Sequence, residues 1–188
     1  MTRVDRAEQI LEHAQRMVQV RGFNAFSYAD LAEATGIRKA SIHYHFKTKA
    51  QLGLELLERY TRGLIGALTQ LDTLPSASTR LEGFIDAYRQ TQVSGAICLC
   101  GSMASDAETL DDATREVIGR YVRLSSEWVE KTLAKGVEDG EFAPGRSTQD
   151  AAASLVSALQ GALVMSRATG DFGSLDAVER RFFESFRG

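Results

Sequence analysis

Apolar residues recur at steps of three and four along most of this chain. Ala7, Ile10, Leu11, Ala14, Met17 and Val18 share one face of a helix. Gly22 ends that pattern, and Phe23 and Phe26 follow as corner residues. Ser27 with Asp30 three positions on is a capping signature, so a second helix is predicted over about 28–34. Gly36 breaks it, and a third short helix runs over about 38–45. Thr48 opens a longer fourth helix with Leu52, Leu56, Leu57, Tyr60, Leu64 and Leu68 on its apolar side. A link rich in Pro, Ser and Thr at 72–79 precedes a fifth helix over about 79–93. The Gly-, Ala- and Cys-rich stretch 94–107 holds a short sixth helix, and Asp111 caps a long seventh that stops near 138, before Gly140 and Pro144. Ser147 with Asp150 opens an eighth through Ala168, and a ninth covers about 175–187. Period-two alternation of β-branched residues is absent, and both prolines, Pro75 and Pro144, sit where helical patterns stop. The expected fold is all-α, with about nine helices.

The segment YADLAEATGIRKASIHYHFK carries the chemistry. Two short helices that cross steeply need a small residue at their contact and a glycine able to take positive φ between them. They also need apolar anchors that hold the pair on a third helix. Ala32, Gly36, and Leu31 with Ile37 and Ile42 supply these in order, and the helix over 7–18 backs the pair. A helix-turn-helix at about 28–47 is the result. The second helix of such a pair enters the major groove of DNA, where all four base pairs are distinguishable.

The stretch from Gly22 to Leu52 resembles the DNA-binding head of the TetR family of transcriptional regulators. Gly22, Phe23, Phe26, Ser27, Leu31, Ala32, Thr35, Gly36, Ile37, Lys39, Ser41, Ile42, Tyr44, His45, Phe46, Thr48, Lys49 and Leu52 carry that resemblance. His43 departs from it, standing where the family usually has tyrosine, so its DNA contact differs from the family's. The resemblance implies a helix-turn-helix head over 1–50 and a helical effector-binding and dimerisation domain over 51–188. It also implies a homodimeric repressor, released from a palindromic double-stranded operator by a small molecule. Expected DNA contacts are Ser27, Tyr28, Arg38, Lys39, Ser41, His43, Tyr44, His45, Thr48 and Lys49. Of these, Tyr44, His45 and Lys49 resemble the family's phosphate clamp, and the helix starts at Ser27 and Thr48 add backbone amides.

Charge agrees with a head that touches phosphate at one end only. The formal net charge is −3. Residues 1–62 hold ten Lys/Arg against seven Asp/Glu, and the remainder 12 against 18, so +3 faces −6. The pair His43 and His45 is not a metal site: at about 100° per helical residue their rings diverge by about 200°. No cofactor is expected, and no nucleophile elbow, phosphate loop or acid–base pair suggests an enzyme. There is no secretory leader pattern and no uninterrupted apolar run of membrane-spanning length, so a cytoplasmic protein is expected.

In the body, Phe84, Tyr88, Cys98, Met103, Tyr121, Leu124, Trp128 and Met165 are candidates for an apolar ligand pocket. Aromatic and methionine side chains at such helical spacing are more often core than pocket. Ser154, Ala158, Gly161, Ala162 and Met165, with Phe182, Phe183 and Phe186, are candidates for a dimer face that two copies would close as a four-helix bundle. Two other functions stay open: a redox or electrophile sensor working through Cys98 and Cys100, and a DNA-binding dimer without an effector.

Overall fold

A computed structural model describes residues 3–145 and 147–186, with the side chains of 3–5 left undescribed. The described residues form α1 (Arg3–Arg21), α2 (Tyr28–Thr35), α3 (Lys39–His45), α4 (Lys49–Leu71), α5 (Ala77–Val93), α6 (Leu99–Ala104), α7 (Asp112–Glu138), α8 (Thr148–Thr169) and α9 (Ser174–Glu184). Short 3₁₀ turns at Phe23–Ala25 and Ala107–Thr109 complete the secondary structure, and no strand occurs among the described residues. The second of these turns leaves no periodic trace and was not expected. The expected end of the ninth helix at 187 lies outside the described residues.

Packing gathers the chain into two compact units. One comprises Met1–Arg62 with Leu99–Gly119, the other Gly63–Cys98 with Arg120–Gly188. The first unit is therefore larger than the expected head over 1–50, because a stretch after residue 98 folds back into it. Met103 is fully buried there, near Gly53 and Phe23. The Ser102 hydroxyl donates to the Val18 carbonyl at 2.8 Å, and Asn24 donates to the Thr109 hydroxyl at 3.1 Å. Ile10, Ala14 and Val18 of α1 meet Leu31, Ile42, Leu52, Leu56 and Leu57 as a core with no measurable exposure. The three-residue and four-residue periodicities converge on that one core. Arg59 of α4 fixes the outer side of α1 through Glu8 at 2.5 Å and the Gln15 side chain at 2.7 Å.

The second unit is built on α8. Its Ala152, Leu155, Val156, Leu159, Ala162, Leu163 and Ser166 are buried, with α5 and α9 packed on it. By length and mean composition α8 is apolar enough to cross a membrane, although Ser154, Ser157 and Gln160 interrupt its apolar run. Its inward-facing half is instead spent on this core. Gln92 donates to the Ser166 hydroxyl at 2.8 Å, which satisfies two buried polar groups at once. Glu141 accepts the N–H groups of Ala77 and Ser78 at 2.9 and 3.0 Å and so caps the start of α5. Those bonds hold its carboxyl below the usual range. Arg89 binds Asp86, Asp176 and Glu179, tying α5 to α9.

Candidate nucleic-acid interface

The helix pair forms because each end is closed by the residue that stands there. Ser27 accepts the N–H groups of Ala29 and Asp30, while its own N–H donates to the Asp30 carboxylate at 2.6 Å. The Ser27 hydroxyl and N–H hold that carboxyl below its ordinary pKa. Gly36 ends α2 at φ 67°, a left-handed conformation that costs a side-chain-bearing residue stability. The Thr35 hydroxyl accepts the Ile37 N–H at 3.2 Å and steadies the turn. Thr48 accepts the Gln51 N–H at 3.1 Å and opens α4.

On α3, Ile42 points inward and is fully buried. Lys39, Ala40, His43 and Tyr44 lie on the opposite side and are exposed, Tyr44 by 63%. They stand at i, i+1, i+4 and i+5, a continuous face of a helix. Ser41 and His45 flank this face, half-buried, and Arg38 stands exposed just before it. Ala40 was missed by the sequence reading because it carries no polar group. Its spacing to His43 and Tyr44 was the signal that could have found it.

Two expected DNA contacts point elsewhere. The Tyr28 ring is buried beside the His43 ring, with centroids 4.7 Å apart. Its hydroxyl lies 3.0 and 2.7 Å from the carbonyls of Phe46 and Thr48 and donates between them. Burial first, then the Glu55 charge, push the Tyr28 pKa up to about 12. Tyr28 is thus the pin of the corner between α3 and α4. Lys49 is half-buried, and its ammonium donates to the Phe26 carbonyl at 2.6 Å. The same group sits 4.9 and 4.5 Å from the ring centroids of Phe23 and Phe26. Burial pushes its pKa below the ordinary lysine value, against the pull of Asp106 and Asp30. Lys49 therefore latches the first corner to α4 from inside, whereas Tyr44, of the expected clamp, is exposed and His45 is half-buried.

The expected ligand-pocket residues do not converge on one place. Phe84 stacks on Trp128 at 5.6 Å and meets Tyr88 at 5.5 Å. Cys98 lies 3.8 Å from the Tyr121 hydroxyl. Leu124 and Trp128 also border an open groove of about 350 Å³, where the indole N–H donates to Asp72 at 2.9 Å. Met103 belongs to the first unit, and Met165 is 57% exposed on α8, so neither joins the aromatic group. Cys98 and Cys100 are both buried, form no disulfide, and fall in different units.

The expected dimer face divides in the same way. Ser154, Ala158, Gly161 and Met165 lie on the exposed side of α8. Ala162 is buried, and Phe182 and Phe186 are buried in a ring cluster with Phe142 and Phe183, centroids 5.5 to 6.4 Å apart. Those rings are largely covered within one copy of the chain, while Phe182 also borders an open groove with Leu155 and Val178. Phe183 keeps partial exposure. Among the described residues, no group of three His, Cys, Asp or Glu side chains is placed to hold a metal ion.

Comparison with known proteins gives concordant results. Residues 10–56 match the family model for bacterial regulatory proteins of the tetR family. Residues 77–182 match the model for a tetracyclin repressor-like C-terminal domain. The HTH-type transcriptional repressor KstR2 of Mycolicibacterium smegmatis is 31% identical over 143 residues, covering 74% of this chain and 68% of the relative. The repressor DhaR of a Mycobacterium species is 24% identical over 98% of this chain and 94% of its own. A TetR-family regulator structure from Agrobacterium tumefaciens superposes with TM-score 0.93 at 26% identity over the full length of both chains. A TetR regulator from Legionella pneumophila gives 0.87 at 29% identity over 96% of each.

Proposed function

Because the chain belongs to the TetR family of bacterial DNA-binding transcriptional regulators, we propose that it is a homodimeric repressor that lays α3 in the major groove of a palindromic operator. The exposed face of Lys39, Ala40, His43 and Tyr44, raised on a fully buried Ile42, carries this reading. Lys39 and His43 have the hydrogen-bonding groups to read base edges, and Ala40 the methyl group to lie against a thymine methyl. Arg38, Ser41, Tyr44 and His45 hold the backbone around them. Ser27 and Thr48 serve as helix caps beside the duplex, while Tyr28 and Lys49 set the angle of α3 from within.

The second copy covers α8. Ala158, Gly161 and Met165 form an exposed apolar strip, continuous with a groove of about 640 Å³ that includes Leu155, Val178 and Phe182. Small residues let a partner helix approach closely, and a patch of this kind calls for cover. Two-fold pairing there also matches a palindrome. The effector is a small, mainly apolar molecule held by the aromatic group of Phe84, Tyr88 and Trp128, with the protein working in the cytoplasm. It acts by favouring a dimer whose two α3 helices no longer fit successive grooves.

Gel shift with the duplex immediately upstream of the coding sequence tests the central claim. Binding that survives competition by scrambled DNA, and is lost in Ala158→Glu together with dimer mass in light scattering, is the expected result. Failure of the wild-type protein to bind any duplex at low salt would sink the reading. A thermal-shift screen of apolar and aromatic compounds tests the effector, since a ligand of the folded state raises the melting temperature.

A further inference from the structure

Arg6 and Gln9 of α1 share a cleft of about 470 Å³ with Arg38 and Ser41, its wall completed by the Gly36 turn. Both arginines are exposed, and among the described residues no carboxylate lines the cleft and neither guanidinium has an ion-pair partner. The site is a set of donors in want of an acceptor. Each guanidinium offers a planar fork of N–H groups, which fits phosphate oxygens two at a time. Gln9 also lines the cleft, and its Oε1 is buried without a hydrogen-bond partner.

We propose that this cleft seats a backbone phosphate of the bound duplex, which makes Arg6 a DNA contact supplied by α1. The inference rests on the groove-binding reading above. Arg38 stands at the N-terminal boundary of α3, so the strand that passes that end of the helix passes the cleft. Residues outside the reading helix hold backbone and fix register, and carry no sequence information. Arg6 and Arg38 close on one phosphate from two sides, with the Ser41 hydroxyl as a third donor.

The test uses the full chain and four variants: Arg6→Gln, Arg38→Gln, the two combined, and Lys135→Gln in α7 as a control. Binding to a fluorescein-labelled upstream duplex and to a scrambled one is read by anisotropy from about 50 to 200 mM NaCl. Arg6→Gln weakens both duplexes by the same factor, about tenfold. The double variant lowers the slope of log affinity against log salt by about one, because one phosphate loses its neutralising pair. The melting temperature of each variant stays at the wild-type value, since both arginines are on the surface. An unchanged slope and affinity in the double variant, with wild-type binding intact, overturns the cleft and leaves the groove reading standing. Wild-type protein that ignores both duplexes overturns the groove reading, and the cleft with it. Inorganic phosphate at constant ionic strength forms the last arm. If it raises the wild-type melting temperature but not that of the double variant, while the DNA slope is unchanged, the cleft takes free phosphate and the backbone proposal fails.

Discussion

Lys49→Met separates two roles for one ammonium group. Placed on the DNA surface, Lys49 would contact phosphate, and its loss would weaken all DNA binding and flatten the salt dependence. The geometry gives a different expectation. Methionine keeps the stem that packs at the start of α4 but leaves the Phe26 carbonyl without the donor now 2.6 Å away. A hydrogen bond from a charged group contributes about 1.5–3 kcal/mol. Two aromatic faces within 5 Å add about 0.5–1 kcal/mol at a partly exposed site. The burial that lowers the Lys49 pKa works against both, so the net loss falls toward the lower end, about 1–2 kcal/mol. For a chain of this length that moves the melting temperature down by about 2–8 °C. Far-UV circular dichroism reads the shift, and anisotropy against salt reads the contact. The expected outcome is a lower melting temperature with an unchanged salt slope. An unchanged melting temperature with the slope reduced by about one would refute the internal latch and return Lys49 to the phosphate.

Gly36→Val should destabilise the head through backbone strain alone, by more than the roughly 1–2 kcal/mol an unbranched side chain pays at positive φ. No atom lies within 4 Å of a Cβ built there, so Gly36→Asn should recover most of the melting temperature, and equal losses for both would contradict the strain account. Tyr28 holds its proton to a pKa of about 12 in the fold against 10.0 when free, so its contribution is complete below pH 10 and lost as pH rises toward 12. Tyr28→Phe should flatten that alkaline limb of the stability profile, and an identical limb in both proteins would count against it. Gly136→Ala would drive a methyl into the Phe142 ring and to 2.8 Å from Ala77 Cβ, an overpacking cost of about 1–3 kcal/mol in denaturant midpoints.

The helices were legible because their ends are written in local chemistry. Ser27 with Asp30, Gly36, Thr48, Asp111 and Ser147 act on backbone groups within four residues, and the expected boundaries fall within two or three residues of the observed ones at these caps. The inward and outward sides of α3 were legible for the same reason, since a seven-residue helix with one buried isoleucine has little freedom in how it turns. Tyr28 and Lys49 were not. Each bonds a carbonyl about twenty residues away, and neither a tyrosine nor a lysine announces whether its polar tip meets protein or solvent. The body was less legible still. Phe182 and Met165 read alike as apolar helix positions, yet one ring is buried against Phe142's cluster while the other side chain is left on the surface. Only the packing of α9 on α8 tells them apart.

Ser102, Met103 and Thr109 contribute to the first unit although the stretch Gly63–Cys98 of the other unit separates them from the end of its N-terminal portion. A chimaera joined by a single splice after α3 or in mid-α4 would carry the reading helix without the piece that backs its supporting helix. Grafting this specificity onto another regulator therefore requires transplanting two stretches of gene, and an excised N-terminal fragment would present to water the surfaces that α6 now covers.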